Sequence, residues 1–185
     1  MALEYTGAIM VPIERGQILL AECAAFQSFA GVASAAEAMN AIYYHELPKG
    51  EAGQQGFNPQ ALRSLRPCAI FRHLSRDDRA AAFLGDRTRQ FDASGEMVCR
   101  LEWMAPNEIE NDNAQIALQF SLLAGAIFDE LEERGNQLRA SDDEPMLELS
   151  RIQAGRVEIG DLIYQNAQAG VLAYINLRMG WAGPT

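Results

Sequence analysis

A chain of 185 residues with 49 % hydrophobic and 22 % charged side chains has the make-up of an ordinary globular domain, long enough to bury a core without disulfide or metal staples. Its 15 Lys and Arg against 25 Asp and Glu leave a net charge of −10. That excludes a basic nucleic-acid footprint over the whole surface and adhesion to an anionic membrane, while still allowing DNA to pass a surface that does not grip it.

Cys23, Cys68 and Cys99 are odd in number and form no C-x-x-C pair. Each stands in an apolar run, the setting of a buried free thiol in a reducing compartment. The first residues carry Glu4 and no basic stretch, which is not the pattern of a signal peptide. The apolar runs are broken by Gln, Glu or Ser short of a bilayer span, so no membrane partner is expected and the chain reads as made in the cytoplasm.

Met1 to Pro12 reads as an arm or edge strand. The spacing of Leu19, Cys23, Phe26 and Ala30 predicts a helix over Ile13 to Val32. Gly31 interrupts it, and Ser34 is placed to cap a second helix with a stripe of Ala36, Met39, Ile42 and Tyr43, stopped by Pro48. Lys49 to Leu62, with Gly50, Gly53, Gly56 and Pro59, reads as a loop, and residues 1–65 form a helical N-terminal region and loop within a single domain, 1–185.

Pro67 suits the start of a short strand through Arg72. Ser75 to Asp86 reads as a connection or brief helix. Arg87 to Phe91 and Glu96 to Met104 then read as a hairpin linked by Asp92-Ala93-Ser94-Gly95, with Met97, Cys99, Leu101 and Trp103 alternating along its second strand. After Pro106, Asp112 or Asn113 is placed to cap a long helix with the stripe Ile116, Phe120, Leu123, Ile127 and Leu131, and Gly135 stands where a left-handed end residue is favoured. Leu118 and Leu122 fall off that stripe and require a second partner for the helix.

Met146 to Ile152 reads as a strand, and Val157 to Gln168 is ambiguous between strand and helical turn. The alternation from Val171 to Trp181, with large side chains on both faces at its start, predicts a central strand. The expected fold is α+β: a mainly antiparallel sheet of about four strands, including one hairpin, packed against two or three helices.

No motif for chemistry emerges. His45-Glu46 begins H-E-x-x-H, but Lys49 stands where the second His is needed, and His73 has no ligand partner at metal spacing. There is no phosphate cradle and no G-x-S-x-G elbow. No catalytic, cofactor-binding or metal residue is therefore assigned, and no enzyme activity is expected. The acidic loops Glu108, Glu110, Asp112 and Asp142, Asp143, Glu144 are candidates to face DNA or solvent. The arginines between Arg63 and Arg89, among them Arg72, Arg87 and Arg89, are candidates to pair with acidic groups of a neighbouring chain, beside Leu118 and Leu122.

The succession of a helix, "RPCAIF", a strand pair ending "GEMVCRLEWMAP", the helix "NAQIALQFSLLAGAIFDELEER" and the strand "AGVLAYINLRMGW" resembles the tail terminator proteins of long-tailed, lambda-like bacteriophages. The resemblance spans about residues 14 to 181. It implies a hexameric ring of identical subunits that caps the tail tube and ends its polymerisation. The ring would present a surface to a head-completion or connector protein while DNA passes through, and the protein would reside in the neck of the virion. It implies no enzymatic activity and no cofactor. The alternatives are another head–tail connector or tail-completion protein and, from a different class, a small α+β enzyme or ligand-binding domain using His73, Arg100 and Tyr174.

Overall fold

The computed structural model describes residues 11–47, 63–80, 91–134, 137–138, 147–164 and 167–184. Helix α1 (Val11–Glu22) carries Pro12 in its first turn, where an amide N–H has no helical partner to lose. It buries Ile13, Leu19 and Leu20. The predicted single helix breaks at Cys23, whose extended backbone turns the chain into α2 (Ala24–Ala30) and sends Phe26 and Phe29 into the core. Gly31, at φ 71°, closes α2, and the Val32 amide reaches back to Gln27 O at 3.0 Å.

Ser34 caps the next helix as the sequence implies, accepting from the Glu37 amide at 3.3 Å. That helix, α3 (Ala35–Ala38), is much shorter than predicted. A 3₁₀ turn at Met39–Ala41 leads to strand β1 (Ile42–Tyr44), paired in parallel with Ala69–Phe71. An Ile-Tyr-Tyr run has high strand propensity, and the exposed edge of the next strand decides its state. The predicted loop Lys49 to Leu62 lies outside the described residues.

The remaining strands are β2 (Cys68–Ala80), β3 (Phe91–Met104), β4 (Gln137–Leu138), β5 (Leu147–Ala154), β6 (Glu158–Tyr164) and β7 (Ala167–Pro184), with helix α4 (Asn113–Glu133) between β3 and β4. They form one mixed sheet in the order β1-β2-β3-β7-β5-β4, with β6 also paired to β7. The α+β class stands, with seven strands and four helices among the described residues in place of four strands and two or three helices. As predicted, β7 is central, with β3 on one side and β5 and β6 on the other.

The predicted hairpin around Asp92–Gly95 is replaced by a longer one. Phe91 to Met104 is one strand, and Ser75 to Ala80, expected as a connection or helix, is its antiparallel partner. Gly95 serves packing instead of a turn: a Cβ there would stand 2.8 Å from the Trp181 ring and collide with Ser75 O.

Strands β5 and β6 act as one strand with an extra residue. From Ala154 to Glu158 the chain takes four steps while β7 takes three, Leu177 to Tyr174. The Gly155 amide bonds Asn176 O at 2.8 Å inside this bulge.

Alternation gives the sheet two unlike faces. Phe71, Met97, Cys99, Leu101, Ala173, Ile175, Leu177, Met179 and Trp181 are all buried on the face that the helices cover. Trp103 stacks on Phe120 of α4 with centroids 6.0 Å apart. The opposite face carries Arg72, Val98, Arg100, Glu102, Tyr174, Asn176 and Arg178, which stand across from one another in register.

Candidate assembly surface

Asp112 starts α4 by accepting from the Gln115 amide at 3.0 Å. Ile116, Phe120, Ala124, Ile127 and Leu131 are buried against the sheet. Ala124 takes the inward place predicted for Leu123, which turns partly outward because it falls about 100° further round the helix. Residues 113–128 hold no charged side chain, and α4 is long and apolar enough to cross a membrane by length and composition, contrary to the sequence expectation. Its inward face accounts for part of that apolarity. The outward face supplies the rest: Leu118 is 62 % and Leu122 69 % exposed, one turn apart. At about 100° per residue, exposed Asp129 and Glu133 continue the same outer stripe, so it is apolar at one end and acidic at the other.

The end of α4 is anchored by charge. Glu130 accepts from the Ala24 and Ala25 amides at 2.9 and 2.7 Å, capping α2 where Cys23 offers no side-chain cap, and accepts from Arg134 Nε at 3.1 Å. Partial burial works against ionisation of Glu130, but the two amides and Arg134 outweigh it and hold the carboxyl below its usual range. Arg134 also donates to Glu22 O at 2.6 Å, tying α4 to α1.

On the open sheet face, Glu102 is buried between two arginines, with Arg66 Nη2 at 2.8 Å and Arg100 Nε at 2.9 Å. Arg100 lies over the Tyr174 ring, 3.7 Å from its centroid, and the Tyr174 hydroxyl donates to Glu158 at 2.5 Å. That hydrogen bond raises the Tyr174 pKa, helped by burial and the Glu158 charge. A shallow groove beside this cluster is lined by Leu74, Val98, Gln153, Asn176 and Arg178 among others. Sequence reading missed Leu74, which a strand bulge after His73 turns outward, 46 % exposed.

The other predicted residues are dispersed. Arg72 is exposed on the open face and donates to His45 O at 2.8 Å. Arg87, Arg89, Asp142, Asp143 and Glu144 lie outside the described residues. Glu108 is exposed, Glu110 pairs with Arg63, and Asp112 is spent on its cap. His73 stands opposite Met97 on the helix side of the sheet, while Arg100 and Tyr174 lie on the other side, so those three do not converge. All three thiols are buried and unpaired. Burial pushes Cys23 and Cys68 up to about 12 and raises Cys99 as well, the opposite of what a nucleophile or metal ligand needs. Among the described residues no group of three metal-ligating side chains occurs.

No family model and no curated protein matches the chain. Among solved structures it is similar to a chain described as "Virion of native gene transfer agent (GTA) particle", at 14 % identity and a TM-score of 0.41, over 92 % of this chain and 94 % of that one. A similarity at this level assigns no function.

Proposed function

We propose that this chain is a virion structural protein of the tail-terminator kind, a subunit of a ring that caps the tail tube, ends its growth and receives a head-completion or connector protein. The observation that carries the reading is the outer stripe of α4. Two leucines one turn apart, each more than 60 % exposed, stand on a helix whose opposite face already fills the core. Burying them against a neighbour removes apolar surface from water at roughly 25 cal/mol per Å², and the described residues leave most of both side chains uncovered. The order of elements that underlies the sequence resemblance supports the same reading.

The ring would hold itself together by contacts between copies, and its acidic surface would let DNA slide through without being gripped. The subunit would reside in the neck of the virion. The reading is tested by adding the purified chain to polymerising tail-tube protein from the same particle and measuring tube lengths by electron microscopy. Tubes of arrested length with added density at one end are expected; unaltered growth with no bound chain overturns the reading.

A further inference from the structure

We propose that neighbouring copies join head to tail, the outer stripe of α4 in one copy seated on the open sheet face of the next, around Leu74 and Val98. This rests on the self-assembly reading and names the two surfaces that meet.

The stripe is apolar at Leu118 and Leu122, acidic at Asp129 and Glu133, and contains no cation. The nearby Arg134 is already held by Glu130 and Glu22. Pairing this stripe with itself would set acid on acid if the helices ran parallel and acid against apolar surface if they ran antiparallel in register, and in neither does the stripe offer a cation to meet Asp129 and Glu133. The open sheet face supplies what the stripe lacks. Arg72, Val98 and Arg178 stand directly across from one another on β2, β3 and β7, so an apolar centre is flanked by two guanidiniums. Leu74 adds exposed apolar surface to the groove, and exposed Arg151 lies on the same face beside Gly180. Glu102 does not cancel this charge, because Arg66 and Arg100 already enclose it; Glu96, on the same face, offsets Arg178 at 3.4 Å, which leaves Arg72 and Arg151 to meet the acids. In a chain of net charge −10, a basic sheet face opposite an acidic helix end is complementary.

The helices cover one side of the sheet and the groove lies on the other. The two patches therefore point in opposite directions, and the contact is heterologous: it closes into a ring when the rotation between copies allows.

The test uses Leu122→Glu, which spoils the stripe, and two variants that spoil the groove, Leu74→Glu and Arg178→Glu, each checked for native circular dichroism. Size-exclusion chromatography with light scattering should show wild-type oligomers and each variant associating at least about tenfold more weakly. A mixture of Leu122→Glu with Leu74→Glu should form one-to-one dimers and nothing larger, because each retains only one good patch. If both groove variants assemble like wild type while Leu122→Glu does not, α4 pairs with itself and the inference falls while the ring reading survives. A mixture that stays monomeric, or that returns full-size oligomers, also overturns it. A wild-type chain that stays monomeric to roughly 1 mM overturns this inference and self-assembly together.

Discussion

Replacing Glu130 by Gln removes a charge that holds the start of α2 onto α4. The carboxylate spans the Ala24 and Ala25 amides at 2.9 and 2.7 Å, the bidentate capping that Cys23 cannot provide. Loss of an N-cap costs about 0.5–2 kcal/mol, and the part-exposed pair with Arg134 adds no more than about 1 kcal/mol. The amide of Gln keeps one acceptor, so Glu130→Gln should cost about 1 kcal/mol and Glu130→Ala about 2 kcal/mol. For a domain of this size each kcal/mol lowers Tm by about 2–4 °C.

The pH dependence follows from a folded pKa below the unfolded one. The contribution of Glu130 is complete above its unfolded pKa of about 4.3 and is lost as pH falls through the folded value. The stability gap between wild type and Glu130→Gln, read by urea denaturation with circular dichroism, should therefore be constant from pH 7 to about pH 5 and narrow in more acid solution. No gap at pH 7, or a gap of equal size at pH 3, would refute the capping argument.

Gly95→Ala should destabilise by about 1–3 kcal/mol, because the added Cβ meets Trp181 at 2.8 Å and backbone at Ser75; a chemical denaturation curve measures it. Glu102→Leu should cost about 3–5 kcal/mol by leaving Arg66 and Arg100 facing each other over a buried site, seen as a large fall in the denaturation midpoint. The three thiols should resist an aromatic disulfide reagent at pH 8 in the folded protein and react in denaturant, since burial keeps them protonated. Leu118→Ser should change the stability of the isolated subunit by no more than about 0.5 kcal/mol, because most of the side chain, 62 %, is exposed.

What the sequence determined by itself was local. The strict alternation from Val171 to Trp181 has a period of two, and it identified the central strand. Ser34, Asp112 and Gly31 act within a few residues of their own position, so the ends they mark were readable. The exposed leucines of α4 were visible because the stripe on its other face was already complete.

The tertiary structure decided the rest, wherever the answer depends on a residue distant in the chain. Ile42–Tyr44 became a strand because the edge of β2 was there to pair with it. Asp92–Gly95 looked like a turn, but Gly95 is required by Trp181, 86 positions away, and the segment runs straight. The break at Cys23 is held by Glu130 from another helix. The basic open face around Val98 exists only because β2, β3 and β7 lie side by side, which places arginines scattered along the chain on one surface. Periodicity reports which way a side chain points within its own element; only packing supplies what it meets there.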